Sequence, residues 1–181
     1  PSSPLSLLTQ SDSSASTKYL GDPLSEKSLE YLSKYNGGEL SICNKWNEST
    51  LKLFANYDGD LSLGVSKWDT IYLSNDTINS SAAQLTDGEI EFISNKSGIN
   101  QIELCIEELS NTAAESLSEF QGKQLSLPGV EKLSDDAAEF LSQYEGHLSL
   151  DNLTSLSAIA VTSLRGLGNR VQNYTFFPEN G

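Results

Sequence analysis

Methionine is absent from this chain, histidine occurs once, at His147, and cysteine twice, at Cys43 and Cys105. No cysteine and histidine cluster with zinc spacing can be drawn from them, and a glycine-rich phosphate loop is missing as well. Basic residues are scarce: 11 Lys and Arg stand against 25 Asp and Glu, a formal net charge of −14. Nucleic-acid affinity rests largely on Lys and Arg neutralising phosphates, so a nucleic-acid partner is excluded, and an anionic membrane surface is disfavoured for the same reason. No apolar run approaches the roughly 18 to 20 residues that span a bilayer, so no membrane insertion is expected. The first residue is Pro1, which reads as a processed or excised chain that has lost any signal peptide or anchor. The ingredients of most enzymes, and any cofactor site, are therefore missing.

What is present is self-similarity. Leu133 opens a stretch in which Ser134 can cap a helix whose start carries Asp135 and Asp136, where the helix dipole favours carboxylates. Ala137, Ala138, Leu141 and Tyr144 then share one helical face, and Gly146 reads as a helix stop in the left-handed conformation. In Leu148-Ser149-Leu150 the period changes from helical to two, with both leucines inward and the serine outward. Leu156-Ser157 begins the same pattern again. From Leu109 to Leu133 is 24 residues and from Leu133 to Leu156 is 23, a period that signals a repeat array.

The register extends towards the N-terminus. Helices read from Leu24 (Leu29, Leu32 and Tyr35 inward) and from Trp46 (Leu51, Phe54 and Tyr57 inward), offset by 22 residues at each core position. Strands read at Lys18-Tyr19-Leu20, Leu40-Ser41-Ile42, Leu61-Ser62-Leu63, Ile102-Glu103-Leu104 and Leu125-Ser126-Leu127, and Thr86-Asp-Gly-Glu89 has capping-box spacing. In the last helix Ala160, Val161, Leu164 and Leu167 take the core positions, and Val171-Gln172-Asn173 falls where a final strand belongs. Recurring stops are read at Gly37, Gly59, Gly98, Gly122 and Gly146. Cys43 and Cys105 follow strands at one repeat position, about 14 Å apart at the usual strand spacing, which is beyond disulfide reach.

Between residues 64 and 84 the pattern breaks. Ile71-Tyr72-Leu73 reads as a strand, but Ser74 to Ala83 is polar with turn signals, so this unit reads as one that lost its helix and gained a surface loop, whether by decay or for function. Residues 1–17 have the serine-rich composition of a linker, with Pro4-Leu5-Ser-Leu7-Leu8 an alternative remnant strand. Residues 174–181 carry Tyr174, Phe176 and Phe177, an aromatic lid for the last core layer.

At these residues, over 18–173 with an irregular insertion at 64–84, the chain resembles the leucine-rich repeat family, in particular bacterial, helix-containing repeats of 22 to 24 residues. The family's usual asparagine, three residues after the second leucine of the strand, is replaced here by Leu153 or Val130, with Asn152 one residue early. The resemblance implies an α/β fold, a right-handed αβ-solenoid of about seven repeats with a parallel sheet on the concave face and helices on the convex face. It also implies a binding scaffold without chemistry.

The expected concave rows are Tyr19, Ser41, Ser62, Tyr72, Glu103, Ser126, Ser149 and Gln172, flanked by Glu39, Asp60, Thr70, Gln101, Gln124, His147 and Arg170. The candidate ligand-binding residues are Tyr72, Glu103, Gln101 and Trp68, set beside the irregular region on a floor of four serines. His147, Ser149 and Asp151 alternate on one strand face, too far apart at about 6.8 Å spacing for a hydrolytic triad. Asn56, Asp58 and Asp60 have calcium-loop spacing, but Leu61 and Lys67 stand where that loop requires glycine and glutamate. Asp135-Asp136 and Glu107-Glu108 are read as helix-start and loop carboxylates, not an acid and base pair. The expectation is a monomeric, secreted or cell-surface module that binds a protein or surface ligand and is not an enzyme. A structural spacer is the alternative; a carbohydrate-cleaving array would need two converging carboxylates.

Overall fold

The computed structural model describes residues 17–19, 24–34, 38–42, 45–57, 59–66 and 69–172. The linker or remnant strand at the N-terminus, Tyr35, Gly37 and the aromatic lid at 174–178 lie outside them. The chain is α/β, an open and mostly parallel sheet of nine strands whose spatial order follows the sequence. The strands are β1 (Thr17–Tyr19), β2 (Glu39–Ile42), β3 (Asp60–Ser66), β4 (Asp69–Leu73), β5 (Thr77–Ser80), β6 (Gln101–Leu104), β7 (Gln124–Ser126), β8 (His147–Ser149) and β9 (Val171–Gln172). The helices are α1 (Glu26–Leu32), α2 (Glu48–Leu53), α3 (Asp87–Ser94), α4 (Asn111–Ser118), α5 (Asp135–Leu141) and α6 (Ala158–Arg165), each packed against the next.

Every helix starts two residues after the leucine or tryptophan that marks it in the sequence. The cap lies between: Ser25, Asn47, Thr86, Ser110, Ser134 and Ser157 each accept from the backbone N–H three residues on. Leu24, Trp46, Leu85, Leu109, Leu133 and Leu156 therefore precede the cap, where an apolar side chain can pack on the first helical turn. The Thr86 and Glu89 capping box forms in both directions. Trp46 is buried there, and its indole N–H has no hydrogen-bond partner among the described residues.

The caps also join one unit to the next. Ser110 donates to Asp87 Oδ1, Ser134 to Asn111 Oδ1 at 2.7 Å, and Ser157 to Asp135 Oδ1. Each hydroxyl thus satisfies its own helix and the first residue of the preceding one. Ser134→Ala removes both bonds and is expected to cost about 1–2 kcal/mol, read from the urea unfolding midpoint. Ser134→Gly should recover part of the loss, because glycine is a tolerated cap.

The inward positions form one continuous core from Leu29 to Val171. Leu32 and Val161, expected inward, are only half-buried. Asn152, one residue early for the family position, donates to Pro128 O in the preceding unit, so an amide does bridge neighbouring units there.

Gly146 does not stop a helix in the left-handed conformation. Helix α5 ends at Leu141, and among the described residues only Gly98 and Gly168 have positive φ. The reason for glycine at 146 is space: a Cβ would sit 2.2 Å from the Tyr144 hydroxyl and 2.8 Å from Lys123 O. Gly122 is held in the same way by the Phe120 ring and Asn100 O.

Tyr144 is fully buried, stacks on Phe120 with ring centroids 6.0 Å apart, and donates to Gly122 O at 3.0 Å. Burial pushes its phenol up to about 12 from an ordinary value of 10.0. A folded value above the unfolded one stabilises fully below pH 10, and that stabilisation is lost as pH rises towards 12, because the unfolded chain ionises first. Urea midpoints should therefore fall between about pH 10 and 12, and fall less steeply in Tyr144→Phe.

The sheet is not wholly parallel, and 64–84 is not a surface loop. Strand β4 pairs antiparallel with β3 and β5, while every other pairing is parallel. A parallel neighbour needs a return path, which elsewhere is a helix; here β4 provides it within the sheet. Ser74 closes the β4–β5 turn, its N–H donating to Thr77 O at 2.8 Å and its hydroxyl to the same oxygen at 3.1 Å. Ile78 and Ala82, in the stretch expected to be exposed, are buried.

Candidate functional site

Alternate residues of the strands point away from the core, giving the sheet an outer face that is half-exposed over β2, β5 and β6. Its middle row, in pairing order, is Ser41, Ser62, Tyr72, Asn79, Glu103, Ser126, Ser149 and Gln172. Two pairings differ from expectation. Lys18, not Tyr19, pairs with Ser41, because β1 ends one residue earlier than the leucine pattern implies. Asn79 lies between Tyr72 and Glu103, because β5 joins the sheet between β4 and β6.

Tyr72 and Glu103 are thus on one face, but Asn79 is the residue that each of them borders. Gln101 shares the face in the adjacent row, paired with Thr77 and Gln124. Its N–H bonds Asp76 O at 3.0 Å, tying the start of β6 to the β4–β5 turn. Trp68 lies outside the described residues. Thr70, expected beside Asp60, instead pairs with Gly64, since β4 runs in reverse. Arg170 lies in a short 3-10 turn (Gly168–Arg170) and not on β9, its guanidinium donating to Tyr144 O at 2.8 Å.

The electrostatics single out Tyr72. Its phenol is pushed up by burial first, then by the charge of Asp60 and a hydrogen bond to that carboxylate, and finally by the charge of Glu39. Tyr72 therefore stands among Asp60, Glu39 and Asn79, a half-buried aromatic with carboxylate neighbours. At the other end of the row Ser126 and Ser149, expected on an exposed floor, are buried. Both have short side chains, and the adjoining row carries Gln124 and His147.

The structure places the remaining constellations as follows. Ser149 donates to Asp151 Oδ2 at 2.8 Å, which corrects the expectation that neighbours on that strand are out of reach; the chain turns at Asp151 and brings the carboxylate back. His147 instead meets Gln172 Oε1 through Nε2 at 3.3 Å, so no base stands against the serine. Asp135 and Asp136 accept from Ser157 and Asn111, as structural carboxylates do, and Glu107 and Glu108 are exposed. Asp58 and Cys43 lie outside the described residues, among which no group of three or more acidic, histidine or cysteine residues could hold a metal. Cys105 is a free, half-buried thiol, pushed up by burial and then by Glu103. Among the described residues no helix is long and apolar enough to cross a membrane.

The residues that the sequence reading missed are Asn79 and the Asp60 partnership of Tyr72. A signal for Asn79 was present: Ile78 stands 24 residues before Ile102, one repeat period, and Asn75-Asp76 marks the turn before it. No comparable signal exists for Tyr72 and Asp60, which meet across an antiparallel pair. Comparison with family models, curated proteins and solved structures gave no match.

Proposed function

We propose that the chain is a recognition module of the leucine-rich-repeat type, a right-handed solenoid that binds a protein or surface ligand through the outer face of its sheet without catalysing a reaction. The observation that carries this reading is the composition of the outer face around Tyr72. An aromatic side chain, an amide and three carboxylates (Asn79, Asp60, Glu39 and Glu103) share a half-exposed face that the helices leave uncovered. Recognition surfaces use such aromatic and polar mixtures, in which the ring supplies contact area and the polar groups set orientation. The one-strand, one-helix period of 22 to 24 residues supports the repeat-family assignment, with the β3–β5 segment as a unit whose helix is replaced by a strand. A monomeric, secreted or cell-surface setting fits an acidic binding module of this kind.

The test is a screen of the intact chain against protein and glycan arrays, with Tyr72→Ala, Asn79→Ala, Glu103→Ala run as a triple variant. A ligand whose affinity falls at least about tenfold in the triple variant, with an unchanged urea midpoint, supports the reading. A ligand bound equally by both proteins places recognition on another surface. No ligand for either favours a structural spacer within a larger protein.

A further inference from the structure

Where β7 and β8 begin, a surface cavity of about 320 Å³ opens between the turns that follow α4 and α5. Lys123, His147 and Arg170 line it, from three successive units of a chain in which acids outnumber bases by 25 to 11. Among the described residues the only carboxylate lining it is that of Glu145, and no ion pair joins Glu145 to any of the three. The basic groups retain donors: Arg170 spends one N–H on Tyr144 O, His147 uses Nε2 towards Gln172, and the exposed Lys123 ammonium has no partner among the described residues. Gly122, Gly146 and Phe120 also border it, Gly122 and Phe120 being buried.

We propose that this cavity binds a compact carboxylate ligand. Its volume lies at the lower end of small-molecule sites, which combine an apolar surface with a few placed polar groups. Arginine and lysine recognise carboxylates through charge-assisted hydrogen bonds, which are about twice as strong as neutral ones. The chain as a whole is strongly acidic, whereas Lys123, His147 and Arg170 line this one cavity with no carboxylate paired to any of them among the described residues. The site is separate from the outer face around Tyr72 and stands whether or not that face binds anything.

His147 is the only histidine, so its ring protons give a single reporter. The intact protein is titrated at constant ionic strength with galacturonate, acetate and neutral glucose while the His147 resonance is followed by NMR. A saturable shift with galacturonate in the millimolar range, absent with glucose, is expected. Acetate then separates the two sources of the chemistry: a shift as large as with galacturonate assigns recognition to the carboxylate alone, and a weaker one assigns part of it to the sugar. In Lys123→Gln the half-saturation point should rise at least about fivefold; this residue is exposed and only its backbone is used by its neighbours. The proposal is overturned by no saturable shift with galacturonate, by an equal response to glucose, or by an unchanged titration in Lys123→Gln.

Discussion

Tyr144→Ala is expected to lower the unfolding free energy by about 3–5 kcal/mol, the range for removing a large buried aromatic side chain. For a chain of this length that corresponds to a fall in Tm on the order of 10 °C. Three losses combine: the ring that stacks on Phe120, the hydroxyl that satisfies Gly122 O, and the volume against which Gly146 is fitted. Tyr144→Phe separates them, keeping the stack and leaving one carbonyl without its donor, at about 1–2 kcal/mol. Urea unfolding of both variants measures the split. A cost below about 1 kcal/mol for Tyr144→Ala would mean that the ring does not sit in the core.

Ile78→Ala should cost about 2–5 kcal/mol, because Ile78 is fully buried in β5 and its removal leaves a cavity beneath the antiparallel segment. The contrast is with Ile159→Ala on the outer side of α6, where the side chain is 63% exposed and the expected change is within about 0.5 kcal/mol. If 64–84 behaved as a surface loop, the two substitutions would be equivalent. A large difference between their urea midpoints distinguishes a strand that completes the sheet from a loop laid over it.

The consequence for function runs through the same segment. With β4 reversed, Tyr72 pairs with Ser62 on one side and Asn79 on the other, and its hydroxyl bonds the Asp60 carboxylate two residues from Ser62, so the aromatic position acquires a carboxylate and an amide as neighbours. A helix in this unit would have left β3 beside a parallel strand, and Tyr72 would not occupy the middle row. The irregular unit and the most distinctive part of the outer face therefore have one structural origin.

By itself the sequence determined the features that depend on near neighbours. The period of 22 to 24 residues, the helix caps, the alternation of Leu40-Ser41-Ile42 and the inward faces of α3 to α5 all follow from spacings within one turn or one strand. Only the tertiary structure decided the direction of β4, the place of Asn79 between Tyr72 and Glu103, and the true reason for Gly146. These depend on which backbone groups pair across the sheet and which atoms arrive from another unit, and no local spacing encodes either. The gathering of Lys123, His147 and Arg170 is of the same kind. Each is an ordinary polar residue at the end of its own unit, and stacking those ends in space brings their charges to one cavity.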